Sequence, residues 1–459
     1  MQELVKNPEL RDDAGALSRD FVRSVKTALE ADQKHDVLSQ VQELHEADTA
    51  DLIELLRPDE RVKFIKIVGK DLDINILPEL DEGVRDQVID DLPNEQVADA
   101  VRALESDDAI YLLEDLKKSE QSDILAKIPK AEREMLQRSL DYPTDSAGRL
   151  MQVDVIAVPP FWSVGQTIDY MRETEDLPDT FSELYVVDPL YHPVGYVPLS
   201  RLLRSKRPVA ISDITNDSLH MINVNEDQEE VARQFERYNL ISTPVIDENK
   251  RLVGVITVDD IVEVIQEEAE EDIHRLGGVG NEALSDTVLK TANSRFSWLF
   301  VNLLTAVLAS LVIGLFDATL QQMVALAVLM PIVASMGGNA ATQTMTVAVR
   351  ALATRDLGAA NATRIIIREF LVSVLNGILF AIIIGAITYF WFFNGQLGMV
   401  IGIAMIFNML AAGMAGILIP LALNWWKIDP AIASSVFVTT VTDIVGFFAF
   451  LGLAAIWLI

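Results

Sequence analysis

The chain is 459 residues long and half hydrophobic, with a formal net charge of −31 and no cysteine. That length allows several domains, and the charge opposes nucleic acid and anionic lipid headgroups while attracting cations. The absence of thiols excludes a disulfide framework and thiolate metal centres.

The charge is unevenly spread. Of the 37 basic and 68 acidic residues, six and five fall in 294–459, which leaves 31 and 63 before it, a net of −32. A very acidic soluble part therefore precedes an almost charge-free apolar part. The opening stretch MQELVKNPELRDD has no apolar core and does not read as a signal peptide.

Residues 1–140 read as helix throughout. Leucine-rich stretches such as DLIELLRPDERVKFIKIV and PNEQVADAVRALESDDAIYLLEDL, broken by Pro or Asp-Asp pairs, predict an all-α superhelix. Pro58 and Pro93 suit helix starts. Glu95 and Asp99 then fall one turn apart on the helix after Pro93, on a face that solvation alone accounts for.

Around Tyr142 the period changes. MQVDVIAVPP and SELYVVD read as strands with the helical TIDYMRETEDL between them, and the pattern recurs as HMINVNED, DQEEVARQFERYNL and ISTPVIDENKRLVGVITVDD. In each copy the last strand is expected to begin at a glycine, Gly195 or Gly254. This internal repeat, with domains at 141–204 and 205–266, resembles a tandem pair of CBS domains, α+β modules that often bind adenine nucleotides. In the second copy, the G-x-x-T-x-x-D run from Gly254 sets Thr257 and Asp260 at a helix start where they could meet a ribose. The first copy has Arg201 at the acid's position. The resemblance thus implies ATP as a regulatory ligand at one site at most, with a purely dimerising scaffold as the alternative.

The next stretch, DDIVEVIQEEAEEDIHRL, crowds Asp259, Asp260, Glu263, Glu267, Glu268, Glu270, Glu271 and Asp272 into a few turns and leads into an acidic connecting helix at 267–292. Like charges at i,i+4 cost about 0.2–0.5 kcal/mol each, so this helix repels itself. Solvation makes that tolerable, and bridging divalent cations make it favourable; hard cations such as Mg²⁺ take carboxylate oxygens and keep much of their water.

Residues 293–459 hold five apolar stretches long enough to cross a bilayer: Phe296–Phe316, Leu320–Arg350, Ile365–Phe393, Leu397–Trp426 and Pro430–Ile459. Lys290 and Arg295, then Arg350, Arg355, Arg364 and Arg368, then Lys427 all fall on one side, and the loops FDATLQQ and FFNGQLG hold no basic residue. The positive-inside rule makes the soluble part cytoplasmic and the C-terminus external in a cell membrane. Pro331 and Gly337-Gly338-Asn339 are expected to interrupt the second stretch, either lining a cavity or forming a small-residue packing site. Asp443 stands alone in the last stretch with Thr439, Thr440 and Thr442 within a turn, and an ionisable group at that depth is a functional site by default.

Residues 331–356 and 429–447, together with GVITVDDIVEVIQEEAEEDIHRL, resemble the MgtE family of magnesium channels, and the domain order matches. One departure is Ala341, where the family's G-G-N-x-G-x-Q pattern carries glycine. The resemblance implies a homodimer with the pore between its subunits. Asp443 would stand at the ion-selecting constriction, with Asn339 and the backbone near Thr439 close by, facing its symmetry mate across a hydrated Mg²⁺. It also implies closure by cytoplasmic Mg²⁺ at Asp227, Glu229, Asp259, Asp260, Glu263, Glu268, Glu271 and Asp272, with Glu95 and Asp99 as their partners in the N-terminal domain. Asn239 stands where a further acid is expected.

The competing readings are a membrane-tethered nucleotide sensor and an ion-coupled carrier. No enzyme is expected: nothing resembles a nucleophile–base set or a P-loop, and His35, His45, His192, His220 and His274 are scattered. No nucleic-acid partner is expected.

Overall fold

The computed structural model describes residues 10–13, 15–42, 44–114, 116–174, 177–178, 180–280, 288–358, 360–432 and 435–458. The stretch 281–287 of the expected connecting segment lies outside them, as do residues 1–9 and 459. The chain divides into two compact units, Met1–Glu268 and Ala269–Ile459.

The first unit opens with short helices from Arg19–Glu30 to Lys130–Leu140. Their leucines and isoleucines recur at helical spacing and share one core, in which Leu52, Phe64, Ile110, Leu112 and Leu113 are fully enclosed. Pro58 occupies the first turn of helix Pro58–Val68, where its missing N–H costs nothing, and the Glu60 carboxylate accepts the Arg57 backbone N–H at 2.8 Å. Pro93 caps helix Asn94–Ala103.

Two three-stranded sheets follow. In the first, β1 (Ala157–Val158) pairs parallel with β2 (Glu183–Val187), which pairs antiparallel with β3 (Pro193–Pro198). The second repeats this order and sense in β4 (Ile222–Asn223), β5 (Ser242–Ile246) and β6 (Leu252–Thr257). The fold class is therefore as expected: an all-α domain, paired α+β modules, then apolar helices. Gly195 and Gly254 do not open β3 and β6; each is the third residue of its strand. A Cβ on Gly195 would stand 2.8 Å from the Asn216 carbonyl oxygen, and one on Gly254 would stand 2.6 Å from that of Gln152. The glycines admit a neighbouring backbone rather than start a strand.

Helix Val258–Gly277 follows β6 directly and buries Ile261 and Val264 in the core of the second module. That burial fixes which carboxylates point elsewhere.

In the second unit, five helices are long and apolar enough to cross a membrane: Val288–Gly314, Val324–Ala353, Ala362–Phe392, Gly395–Trp425 and Val436–Trp457. The fourth is central, with 67% of its most apolar window buried against 6% for the first. It packs on the second, third and fifth, and the first lies on the fifth. Small residues set these approaches: a Cβ on Gly398 would stand 2.7 Å from the Gly385 carbonyl oxygen, and one on Gly416 would stand 2.8 Å from that of Ala341.

Three further expectations change. The second span is one continuous helix through Pro331 and Gly337-Gly338, because at bilayer depth an intact helix satisfies its own backbone groups and the glycines serve packing instead. The last span does not start at Pro430: a single turn, Pro430–Ile432, precedes helix Ser435–Trp457. FDATLQQ contains a short helix, Asp317–Gln322.

Candidate functional site

Two carboxylate sites emerge, one in each unit. In the first, helix Ser106–Glu114 brings Asp107 and Asp108 against the start of helix Val258–Gly277. They line a hollow of about 110 Å³ with Asp260, Glu263, Glu267, Glu114, Asp145 and Arg149. The approach is fixed by named bonds. Val153 N–H donates to Ser106 Oγ at 2.8 Å, Gln152 Nε2 donates to Glu105 Oε2 at 2.7 Å, and Arg149 Nη1 donates to Glu114 Oε2 at 2.9 Å. Arg149 also donates to the Leu140 and Tyr142 carbonyls, so the basic residue of this hollow is already engaged.

Crowding of acids with little water reshapes their titration. Burial, then the charge of Asp107, pushes Asp260 up to about 9, even though Thr257 Oγ1 donates to its Oδ2 at 2.8 Å. Burial, followed by the charges of Asp107, Glu105, Glu263 and Glu79, pushes Asp108 up to about 7. Asp107 and Glu263 are also raised, in both cases chiefly by burial. At neutral pH the hollow therefore holds a proton or wants a cation. Among the described residues no three side chains converge as direct ligands of one metal ion. Carboxylate oxygens in this number suit a hard divalent cation, which keeps much of its water when bound.

The residues singled out from sequence divide as follows. Asp260 and Glu263 line the hollow, and the charge of Asp259 bears on both. Glu268 accepts from Gln228 Nε2 at 2.9 Å. Asp227 caps helix Gln228–Tyr238 by accepting from the Glu229 N–H at 3.0 Å, and Glu229 lies 3.7 Å from Arg233. Glu95 and Asp99 do not join the cluster: both are exposed and line a separate hollow with Leu72, Ile74 and Leu77. Asp107 and Asp108, which sequence reading missed, stand in the cluster beside Asp260 and Glu263 instead. The signal was present as an Asp-Asp pair at a helix start, but it read as a break between helices. Thr257 and Asp260, expected at a ribose, are bonded to each other, and the Asp260 carboxylate faces Asp107.

In the second unit, Asp443 is half-buried on the fifth span, one turn beyond Thr439. A Cβ on Gly338 would touch Thr439 Cγ2 at 3.2 Å, so the second and fifth spans meet beside Asn339. The hydroxyls of Thr439 and Thr440 donate to the Val436 carbonyl at 3.1 and 2.6 Å, and that of Thr442 donates to the Thr439 carbonyl at 2.8 Å. These hydroxyls are spent within the helix; the carboxylate of Asp443 follows them on the fifth span, and the amide of Asn339 on the second donates to Ser335 Oγ at 3.5 Å. Ser335, Asn339, Gln343 and Thr346 form an exposed polar stripe along the second span, which lipid would not solvate.

Also within this unit, Arg275 near the end of the acidic helix pairs with both Glu271 and Asp429. Asp429 accepts the Ala431 N–H at 2.8 Å in the turn leading to the fifth span. Leu276 packs against the core that contains Met345, Ala431 and Val438. Asp272 lies half-buried next to this joint.

Comparison with known proteins bears on both sites. Residues 330–453 match the family described as MgtE, divalent cation transporter. Residues 44–145 match the MgtE intracellular N domain, and 147–207 and 211–267 match the CBS domain. The chain is 29% identical over 420 residues to the magnesium transporter MgtE of Bacillus subtilis (strain 168), covering 91% of this chain and 93% of that one. It is 32% identical over 370 residues to the magnesium transporter MgtE of Thermus thermophilus, covering 79% of each. A solved structure of the cytosolic domain of the Mg²⁺ channel MgtE in complex with ATP superposes with a TM-score of 0.50 and 25% identity, over 53% of this chain and 99% of that one.

Proposed function

We propose, from the premise that the chain belongs to the MgtE family of divalent cation transporters, that it is a Mg²⁺-selective channel closed by Mg²⁺ on the side of its acidic unit. The observation that carries this reading is the contact of the second and fifth spans at Gly338 and Thr439, next to Asn339 and one turn from Asp443, beside a polar stripe that one copy leaves open. A second copy across a two-fold axis would cover that stripe and set two Asp443 carboxylates opposite each other. Their joint charge favours a divalent over a monovalent ion, and the breadth of such a site favours one that keeps its waters.

Gating follows from the acidic hollow. Asp107 and Asp108 on one side and Asp260, Glu263 and Glu267 on the other repel when ionised, and a cation between them removes the penalty. Because the ion is held better when the two faces are together than when they are apart, it shifts the equilibrium toward the compact state. Arg275 carries the position of the acidic helix to the turn before the fifth span. The remaining acids, Asp227, Glu229, Asp259, Glu268, Glu271 and Asp272, supply the surrounding negative field. By the positive-inside rule the basic loops support a cytoplasmic acidic unit and a C-terminus outside the cell membrane. ATP, bound by the relative's cytosolic domain, is a regulatory ligand of the second CBS module, where it competes with the Asp107–Asp260 contact for Thr257 and Asp260.

The test is Mg²⁺ uptake into proteoliposomes. The parent chain conducts Mg²⁺ without a Na⁺ or H⁺ gradient and Asp443→Ala does not; equal uptake by both would refute the pore assignment, and a requirement for either gradient would make the protein a coupled carrier.

A further inference from the structure

Asn408 lies inside the fourth span with none of its surface exposed. A wholly buried carboxamide among apolar helices is as conspicuous as Asp443, yet it faces no ion path. Its Nδ2 donates to the Val333 carbonyl of the second span at 2.6 Å. Its Oδ1 is buried and, among the described residues, has no hydrogen-bond partner. An apolar side chain there would strand no oxygen, so packing alone does not account for an amide at this position.

The surroundings of Asn408 are specific. A Cβ added to Gly337 would stand 2.4 Å from Nδ2, and one added to Gly446 would stand 2.9 Å from Oδ1. The amide thus occupies a slot that requires glycine on two different spans. Gly337 lies two residues before Asn339, and Gly446 lies three residues after Asp443, so both walls of the slot are within a turn of the polar groups of the pore face. On the other side of that contact, Gly338 meets Thr439. One side chain therefore touches the two helices at the level where their functional residues meet.

We propose that Asn408 is a positioning residue for ion selection: its amide, keyed between Gly337 and Gly446 and bonded to Val333, fixes the register of the second span against the fifth and so holds Asn339 beside the turn of the fifth span that leads from Thr439 to Asp443. This rests on the reading of Asp443 and Asn339 as the ion path, and it adds a residue from the fourth span to that site. The hydrogen bond fixes the height of the second span, and the glycine contacts fix its distance from the fifth. The unpaired Oδ1 is the cost of presenting a flat amide to both backbones.

The experiment compares Mg²⁺ and Ca²⁺ flux in proteoliposomes for full-length Asn408→Leu, Gly337→Ala, Asn408→Ala and the Gly337→Ala/Asn408→Ala double variant, with Asp443→Ala as reference and elution profile and melting temperature recorded for each. Asn408→Leu, which keeps the branching at Cγ, adds bulk and loses the bond, is expected to lose about tenfold in the preference for Mg²⁺ over Ca²⁺. Gly337→Ala is expected to fail when the amide is present and to regain about tenfold in flux when Asn408→Ala opens the slot, a non-additivity that marks direct contact. Parent selectivity in Asn408→Leu, or a double variant as impaired as the two single losses combined, would overturn the proposal. So would a fall in flux and melting temperature with selectivity unchanged, which is the mark of packing only. If Asn408→Leu does not fold, the glycine pair decides alone. An Asp443→Ala variant that conducts normally would instead overturn the underlying pore reading.

Discussion

The two units of this chain use carboxylates in opposite ways. In the first they are many and face one another: Asp107, Asp108, Asp260, Glu263 and Glu267 share one hollow. In the second, Asp443 stands alone among apolar residues, half-buried beside a polar stripe. On the proposed reading, the crowded site stores repulsion and changes shape when an ion arrives. On the same reading, the solitary site acts with its symmetry mate and chooses among ions. Charge density alone would have assigned both to the same task; burial and the number of facing acids separate them.

The sharpest way to break this contrast is at the solitary site. Asp443→Ala is expected to reduce Mg²⁺ flux to the level of protein-free liposomes while leaving Mg²⁺-dependent compaction of the first unit intact, read by protease protection. Loss of both would mean that the two sites are one. The reverse pattern is expected for Asp107→Asn combined with Asp260→Asn. Removing the facing charges should raise the melting temperature in EDTA by about 2–4 °C and weaken its response to Mg²⁺, with ion selectivity unchanged. A lower melting temperature in EDTA would mean that these acids do not repel.

The crowded site also predicts a pH dependence whose sign follows from the raised pKa values. A carboxylate whose folded pKa lies above its unfolded value of about 3.9 binds its proton more tightly when folded. Its contribution is therefore fully present below the unfolded value and is lost as pH rises through the folded one. Asp108, raised to about 7, and Asp260, raised to about 9, place that loss largely between pH 4 and 9. The full-length protein in detergent and EDTA should lose melting temperature from pH 6 to 9, and Mg²⁺ should flatten the slope. A slope that Mg²⁺ does not alter would assign the effect to other groups.

The smallest effect belongs to the joint beside the fifth span. The Arg275 pairs with Glu271 and Asp429 are partly exposed, so their contribution is about 1 kcal/mol at most. Arg275→Ala should raise the Mg²⁺ concentration for half-closure by up to about fivefold. An unchanged closure curve would remove Arg275 from the coupling path.

Much of the fold was legible because it follows from local pattern. The leucine periodicity gave the helical domain, the repeat of strand and helix spacing gave two matched sheets, and five apolar runs gave five spans. What was not legible depended on distant pairing. Nothing near Asp107 in sequence indicates that it will meet Asp260, whereas Glu95 and Asp99 carried the better local pattern and proved to line another hollow. The same limit explains Gly337-Gly338. Paired glycines read as a break when their neighbours are unknown, and as a packing surface once Asn408 and Thr439 occupy the space they leave. Asn408 itself was visible as a lone amide in an apolar run, the same signal that marked Asp443, but only its contacts give it a role.

The most direct test of the central claim is Mg²⁺ flux through the full-length protein in proteoliposomes, measured as Mg²⁺ is varied on the side of the acidic unit. The two-site account predicts high flux at low Mg²⁺ and progressive closure as Mg²⁺ rises, with closure weakened by Asp107→Asn/Asp260→Asn and all flux removed by Asp443→Ala. Flux that is independent of Mg²⁺ on that side, or a closure curve identical in the Asp107→Asn/Asp260→Asn variant, would contradict it.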